Sequence, residues 1–299
     1  YWAGILPDEG VVLDADKKTI IQKCKKGPYI QSERLDIYKP YIDKLLKDGN
    51  AYHCFCTKER LDILRKNQEI NKLPPGYDGC CRNLTKDEVK QKLASKEKYV
   101  VRLKMPKEGT TKFIDLVRGE VEFDNNLIDD QVLLKSDGFP TYHLAVVVYD
   151  HLMEITHVIR AEEWLSSTPK HITLYKMFGW EIPEFAHLSL LVNEKRQKLS
   201  KRHGDVSVQD FRDKGYLPEA LVNFIAFLGW NPGDAREFFY LSQLEKEFSF
   251  EQVGKPAAVF NYDKLNWYNS QYIKKMPVKD LVSLCAVFLK NEGLAKEAD

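Results

Sequence analysis

The segment from residue 195 to residue 203, KRQKLSKRH, concentrates positive charge in a chain that is otherwise nearly neutral. It holds five lysine and arginine side chains and no carboxylate. Cations packed this closely repel one another unless an anion lies between them. Lys198 and Lys201, with Ser200 beside them, are suited to a polyphosphate, because a well-placed donor stabilises charge developing on a leaving pyrophosphate by about 3 kcal/mol. The alternative is a solvated lysine-rich loop.

A second group of polar residues lies in THVIRAEEW, residues 156–164. Arg160 falls where a parallel strand is predicted to end, which is where open α/β sheets bind ligands. Its guanidinium can bind a carboxylate through two N–H groups, while Glu163 and Trp164 can contact a ribose or frame a base. The alternative is a surface arginine paired with Glu162 or Glu163.

The segment DGFPTYHLAVVV, residues 137–148, places Tyr142 and His143 at the mouth of the same predicted sheet. The hydroxyl of Tyr142 is a candidate donor to a carboxylate substrate. An aromatic residue on a strand is more often part of the core, so packing is the alternative. His143 belongs to no motif and is interpreted as a structural histidine.

Four of the six cysteines occur as CFC and CC, in the first third of the chain. Zinc takes four ligands in a tetrahedron, and three thiols are candidates: Cys54, Cys56 and Cys81. Asn83 stands at the obvious fourth position and is a poor ligand, so Cys80 or His53 would have to complete the set. Reduced thiols that fill a small domain are the alternative.

The composition excludes several classes of protein. With 299 residues, 43% of them hydrophobic and 30% charged, the chain can bury a sizeable core. The formal net charge of +1 means that nucleic-acid binding would have to rest on local positive potential. No apolar run approaches the about 20 residues of a membrane helix, and LAVVV has the length of a strand. The cysteine usage indicates a reducing compartment, and the motifs GxGxxG, GxxxxGK[ST], HExxH and GxSxG do not occur.

The patterning predicts an α/β fold. The first 26 residues are predicted as loop with a short helix, and helices follow at 32–49, 56–70 and 85–95. Alternation from Tyr99 predicts antiparallel strands, the last two joined at Asp137-Gly138. The apolar run at 144–150 is predicted as a buried strand. It is followed by a strand at 155–160, a helix at 167–180 and a strand at 185–192, the order of a doubly wound parallel sheet. The remaining segments are predicted as helices: 207–215, 217–230 and from 281 onward.

Together, the segments DGFPTYHLAVVV, VIRAEEWLSSTPKH and KLSKRHGDVSVQDF resemble the glutamyl-tRNA synthetases, which are class I aminoacyl-tRNA synthetases. KLSKR resembles the KMSKS loop of that family. The resemblance implies an incomplete class I Rossmann-type parallel sheet, an inserted α+β connective domain and a helical stem-contact domain. The implied domains are a remnant of the catalytic domain (1–50), the connective acceptor-binding domain (51–140) and the second half of the catalytic domain (141–196). The KMSKS loop with the stem-contact domain (197–277) and the start of the anticodon-binding domain (278–299) follow.

The resemblance also implies roles for the candidate residues. Lys201 would be the main catalytic lysine on ATP, supported by Lys198 and Ser200. Tyr142 and Arg160 would bind L-glutamate, and the ATP ribose would lie near Glu163. Glutamate would attack the α-phosphate of ATP, with Mg²⁺ present, and pass to the terminal adenosine of tRNA(Glu). A monomer in a bacterial cytoplasm is expected, with the mitochondrial matrix as the alternative.

Several departures from the family pattern qualify these expectations. The half-sheet with the HIGH histidines has no counterpart, residues 11–28 resemble an insertion, Tyr149 replaces a usual aspartate, and Asn83 replaces a zinc-ligand histidine. The chain starts at Tyr1 rather than Met and ends in a helical pattern, so both ends are expected to continue. We therefore expect the chain alone to be inactive. A glutaminyl-type relative, the short paralogue that glutamylates a tRNA base, and a non-catalytic RNA-binding module are the alternatives.

Overall fold

The computed structural model describes residues 1–16, 18–23, 25–199 and 207–294, and the chain divides into two compact units. One unit, here called the sheet unit, comprises Pro7–His187. The other, the helical unit, comprises Tyr1–Leu6 and Leu188–Asp299. No helix in the described ranges is both long enough and apolar enough to cross a bilayer.

The sheet unit alternates strands and helices. Its strands are β1 Gly10–Leu13, β2 Ile20–Lys23, β3 Ala51–Cys54, β4 Val100–Leu103, β5 Thr110–Asp115, β6 Gly119–Asp124, β7 Val132–Leu134, β8 His157–Ala161 and β9 Glu184–Leu188, whose last residue belongs to the helical unit. Its helices are α1 Leu35–Lys47, α2 Lys58–Ile70, α3 Lys86–Ala94, α4 Tyr142–Leu152 and α5 Thr168–Phe178.

Two sheets organise this unit. β3, β4 and β7 form an antiparallel sheet of three strands. The other sheet has the order β6-β5-β9-β8, with β5 antiparallel to β6 and parallel to β9 through the Asp115–Phe185 pair. The predicted α/β fold with parallel strands is therefore confirmed. β8 and β9 lie side by side, and helix α5 connects them along the chain.

The core of the sheet unit lies between α1, α4, α5 and the three-stranded sheet. α1 contributes Tyr38, Ile42 and Leu45, which recur at helical spacing on one face. α4 contributes an almost unbroken run of buried side chains, residues 144–148. α5, predicted at 167–180, begins with Pro169 in its first turn and ends at Gly179, whose φ of 74° is left-handed.

Two segments fold differently from the prediction. The run at 144–150, predicted as a buried strand, lies in helix α4, and Tyr142 and His143 are therefore in the first turn of a helix. An apolar run without alternation fits a buried helix as well as a strand. It becomes helical here because α1, α5 and β7 surround it. Within the first 26 residues, predicted as loop with a short helix, β1 and β2 pair as antiparallel strands.

The Asp137-Gly138 turn is present, but it does not join two full strands. The backbone amide of Lys135 donates to the carbonyl oxygen of Phe139, and Gly138 has a φ of 83°. Beyond the turn only a single bridge, between Leu134 and Pro140, continues the pairing before α4 begins. The chain therefore leaves the sheet at Thr141 and delivers Tyr142 to a helix N-terminus.

The helical unit contains β10 Leu191–Val192, α6 Val208–Asp213, α7 Pro218–Ala226, α8 Leu241–Glu247, β11 Ala258–Val259, α9 Tyr262–Lys275 and α10 Val278–Asn291. Its core forms where α6, α7 and α9 meet, around Phe211, Phe224 and Tyr268. The helices predicted at 207–215, 217–230 and after 281 are confirmed, with their ends shifted.

Candidate functional site

Arg160 is held near the end of β8 by three neutral hydrogen-bond acceptors. Its Nε donates to Nε2 of His187 at 3.1 Å, Nη1 contacts Nδ1 of His171 at 3.1 Å, and Nη2 donates to Oγ1 of Thr168 at 2.9 Å. The side chain is only partly buried. A guanidinium has five N–H groups, so two remain for other acceptors.

The local fold explains why these three acceptors converge. His187 lies on β9, which is the sheet neighbour of β8, and its side chain is 0% exposed. Thr168 and His171 are one turn apart on α5, so both face the same side of that helix. His171 is 1% exposed, and the ring of Phe185 lies 5.7 Å from the guanidinium carbon. Three elements therefore meet at one arginine.

The arginine determines where the histidine protons are. Because a guanidinium can only donate, Nδ1 of His171 must be unprotonated and its proton must be on Nε2. That Nε2 lies 3.0 Å from Nδ1 of His143, which must then accept. On the other side, Nε2 of His187 accepts from Arg160, so its Nδ1 carries the proton and donates to Oδ2 of Asp115 at 2.6 Å.

Burial keeps His171 and His143 neutral. It lowers the pKa of His171 well below the ordinary value, and the positive charge of Arg160 adds to the shift. Burial likewise lowers the pKa of His143 to about 4, with further contributions from Lys170 and Arg160. At neutral pH, the chain of hydrogen bonds from Arg160 through His171 to His143 therefore carries one positive charge, on the arginine.

Asp115, the last residue of β5, anchors the other side of the network. Burial by itself would raise the pKa of this carboxyl. The hydrogen bonds from the His187 ring and from the backbone amides of Val117, Arg118 and His187 outweigh burial, so the pKa of Asp115 lies below its usual range. The buried acid is therefore ionised and holds His187 in one tautomer.

The neighbouring acidic residues do not neutralise Arg160. Glu162 pairs with Arg118 at 2.5 Å, and Arg118 also donates through Nε to the carbonyl oxygen of His187. Within the described part of the chain, Arg160 forms no ion pair. The alternative of a surface arginine paired with Glu162 is therefore wrong. Glu163 is exposed on the 3-10 turn that follows β8.

Tyr142 lies beside this network. Its ring is 40% exposed, and its centroid lies 4.3 Å from that of Trp164 and 6.1 Å from that of His171. The guanidinium carbon of Arg160 is 6.0 Å from the Trp164 ring. The fold thus brings Tyr142, Arg160 and Trp164 together, as predicted, although Tyr142 arrives on a helix and not on a strand.

A buried acid of α4 lies in the same region. Asp150 is 8% exposed, and burial raises its pKa to about 7 despite the opposing charges of Arg160 and Arg34. Asp150 follows Tyr149, the position where the family pattern has an aspartate. The sheet unit therefore has a carboxyl near Arg160 that is partly protonated at neutral pH.

The basic segment begins in the helical unit. Residues 193–197 form a turn in which Asn193 and Gln197 exchange hydrogen bonds. Lys198 follows on a bridge to Val192, and Leu199 packs against the core of the helical unit. Ser200 and Lys201, the other predicted phosphate-binding residues, lie outside the described residues.

The cysteine cluster is compact. The Sγ atoms of Cys54, Cys56 and Cys81 all lie within 4.8 Å of one another, and those of Cys56 and Cys81 are 3.6 Å apart. The hydroxyl of Tyr77 lies 3.3 Å from Sγ of Cys54 and 3.6 Å from that of Cys56. Ligands of tetrahedral zinc with bonds of about 2.3 Å are roughly 3.7 Å apart. Three thiols and one phenol oxygen therefore provide four candidate ligand atoms, and three of their separations, 3.3 to 3.6 Å, are close to that spacing.

Several residues of the site were not identified from the sequence. Thr168, His171 and His187 contact Arg160, Asp115 supports His187, and Tyr77 joins the cysteines. The only local sign was a histidine within each of two otherwise apolar segments, HITLY and FAHL. His143, interpreted as structural, belongs to the hydrogen-bond chain.

The hydrogen bonds of this network predict which ring nitrogen of each histidine carries the proton. Nitrogen-15 correlation spectra of the histidine rings at pH 7 should show His187 protonated on Nδ1, and His171 and His143 protonated on Nε2. Neither His171 nor His143 should titrate between pH 8 and pH 5, whereas free histidine added as a reference should, near pH 6.5. A His171 ring protonated on Nδ1 would contradict the assigned direction of the hydrogen bonds.

Comparison with known proteins identifies the family of the chain. Residues 2–267 match the family described as tRNA synthetases class I (E and Q), catalytic domain. A glutamate–tRNA ligase of Clostridioides difficile is 54% identical over 298 residues, which is 100% of this chain and 60% of the relative. One of Alkaliphilus metalliredigens is 53% identical with the same coverage, 100% and 60%.

A solved structure is similar along nearly the whole chain. A glutamate tRNA ligase from Elizabethkingia meningosepticum, in complex with its amino acid, has a TM-score of 0.86 at 38% identity, covering 99% of this chain and 62% of that one. This chain therefore spans about three-fifths of the length of the relatives it matches. It belongs to the class I tRNA synthetases of the glutamate and glutamine type, and most of it matches their catalytic domain.

Proposed function

We propose that this chain provides the amino-acid-binding and part of the ATP-binding site of a glutamate–tRNA ligase. The observation that supports this most strongly is Arg160, a guanidinium held by three neutral acceptors with two N–H groups left. A carboxylate is the ligand that matches a planar cation of this kind. Glutamate fits because it has a carboxylate at the end of its side chain.

The same arrangement explains the selection of glutamate over glutamine. An amide bound at Arg160 would leave the positive charge without a counterion in a partly buried site. Sites built around a specific polar partner reject analogues that lack it by several powers of ten. The free charge of Arg160 thus supports the glutamate enzyme over the glutaminyl-type alternative. Tyr142, 40% exposed beside Trp164, would donate its hydroxyl to the same amino acid.

The reaction follows from two groups of residues. Glutamate, oriented by Arg160, attacks the α-phosphate of ATP through its α-carboxylate, which forms glutamyl-adenylate and releases pyrophosphate. Lys201, Lys198 and Ser200 would stabilise the charge that moves onto the leaving pyrophosphate, and Glu163 would bind the ATP ribose. Mg²⁺ would accompany the triphosphate. The acyl group then passes to the 3′-terminal adenosine of tRNA(Glu), and AMP is released.

The partners we propose are L-glutamate, ATP and tRNA(Glu), bound by a monomer. Because ATP and tRNA are cytoplasmic and the two relatives compared above are bacterial, we infer a bacterial cytoplasm. We also propose the domain boundaries inferred from the sequence, with residues 51–140 as the acceptor-binding part and 197–277 as the stem-contact part.

Zinc is the metal we propose for the cysteine cluster. Cys54, Cys56 and Cys81 would bind it as thiolates, and the Tyr77 hydroxyl would replace the expected fourth ligand. Cys80 is exposed and His53 contacts Tyr99 through its ring, so neither is required. The metal would link the end of β3 to the loop that contains Tyr77 and Cys81, a structural role. The ring of Tyr77 is also stacked on Arg102, 3.8 Å from its guanidinium carbon.

Substitution of Arg160 tests the proposed amino-acid site. In the complete gene product, with tRNA(Glu) present, Arg160→Gln should raise the KM for glutamate in ATP–pyrophosphate exchange by about 100-fold, since a buried partner of the carboxylate is lost. Glutamate and glutamine should then be used at similar rates. Arg65→Gln, an exposed arginine of the same unit, is the control. Retained glutamate preference in Arg160→Gln would refute the assignment.

Substitution of Lys201 separates an enzyme from a passive RNA-binding module. Lys201→Ala should reduce adenylate formation by about 100-fold or more through lost charge stabilisation, while the KM for glutamate changes little. Lys195→Ala, in the same basic segment, is the matched control. If both variants only weaken tRNA binding, with the salt dependence of a lost phosphate contact, the catalytic role is wrong.

Metal analysis tests the zinc proposal. The purified chain should contain about one zinc ion per molecule, because four closely spaced ligands match a structural site. Cys81→Ser should lose the metal, and Tyr77→Phe should weaken its retention against a chelator. Cys80→Ser, one residue away, should keep it. Equal zinc content in Cys80→Ser and Cys81→Ser would argue against the site.

A further inference from the structure

All three acceptors around Arg160 are uncharged, although holding the arginine in place does not by itself require uncharged acceptors. Hydrogen bonds to a guanidinium are commonly made by carboxylates, which form short, charge-assisted pairs. Here the three acceptors are two imidazole nitrogens and a hydroxyl oxygen. Each can orient the arginine, and none cancels its charge.

We infer that His171 and His187 are specificity-determining positioning residues, which hold Arg160 through neutral acceptors so that its charge is reserved for the substrate carboxylate. The inference rests on the proposed binding of glutamate at Arg160. It explains why the residues that hold the arginine are neutral histidines and not acidic residues. Two unit charges 4 Å apart attract by about 4 kcal/mol near a protein surface, so a carboxylate at either position would compete with the substrate for the guanidinium.

The acid of the network is placed where it does not compete. Asp115 contacts the far nitrogen of His187, at 2.6 Å, and the near nitrogen accepts from Arg160 at 3.1 Å. The imidazole ring thus separates the carboxylate from the guanidinium. The hydrogen bond from Nδ1 to Asp115 also fixes the neutral ring in the tautomer whose Nε2 can accept from the arginine. Asp115 controls the tautomer without neutralising the arginine.

His171 has a corresponding arrangement on the other side. Its Nε2 proton donates to His143, and this leaves Nδ1 as an acceptor for Arg160. Burial lowers the pKa of His171, and the charges of Arg160 and Lys170 add to the shift. A protonated His171 would repel the arginine and could no longer accept through Nδ1. Burial and the surrounding charge keep the ring neutral.

A pair of nearly isosteric substitutions at His171 tests the inference. The side-chain oxygen of asparagine or aspartate can occupy the position of Nδ1, so His171→Asn keeps a neutral acceptor and His171→Asp adds a charge. In the complete gene product, His171→Asn should raise the KM for glutamate by up to about fivefold. His171→Asp should raise it by about 100-fold, or about 2.7 kcal/mol, and should narrow the preference for glutamate over glutamine. The KM for ATP should be similar in the two variants.

The outcomes distinguish the inference from the proposed function. Thermal unfolding of both variants checks that they fold. If a His171 variant does not fold, the pair His187→Gln and His187→Glu repeats the comparison at the position of Nε2. Equal glutamate KM and equal selectivity in the Asn and Asp variants, with Arg160→Gln strongly impaired, would overturn the inference alone. No effect of Arg160→Gln would overturn the proposed function as well.

Discussion

The site depends on one electrostatic constraint, a partly buried arginine that is oriented without being neutralised. Arg160 donates to His187, His171 and Thr168, and the nearby acid Glu162 is paired with Arg118. A desolvated cation without a counterion is unfavourable in the free protein, and a carboxylate ligand would relieve that cost on binding. Under the proposed function, affinity for an acidic amino acid and rejection of its amide would have the same origin.

The fold supplies this constraint through three elements of the sheet unit. β8 presents Arg160, its sheet neighbour β9 presents His187, and the first turn of α5 presents Thr168 and His171. β5 is parallel to β9 and ends at Asp115, where its carboxylate meets the His187 ring. The hydrogen bonds run from an ionised acid at one end to a neutral histidine, His143, at the other, so the direction of every proton follows from the arginine. Burial of His171 and His143, which lowers the pKa of each ring, maintains their neutral forms at neutral pH.

The family assignment and the geometry support one another at different levels. The match over residues 2–267 establishes the class of enzyme, and the chain spans about three-fifths of its curated relatives. The geometry shows which side chains surround the arginine, and it shows that the His187 ring separates the carboxylate of Asp115 from it. The cysteine cluster is an independent feature of the same unit. There, the hydroxyl of Tyr77 lies beside the thiols, whereas the linear sequence offered Asn83, Cys80 and His53 for the fourth position.

The sequence by itself determined the class of fold and most helices, and it singled out Arg160, Tyr142 and the three cysteines as candidates, whose roles stay predictions. Helix ends marked by Thr85, Pro169 and Gly179 were predictable because capping depends on a few adjacent residues. The tertiary structure decided that residues 144–150 form a helix, since an apolar run acquires its conformation from what packs around it. It also decided that residues as distant in sequence as Asp115 and His187 hold one arginine. Hydrogen bonds between distant segments leave no periodicity or spacing in the sequence, because only the pairing of β5, β9 and β8 brings those side chains together.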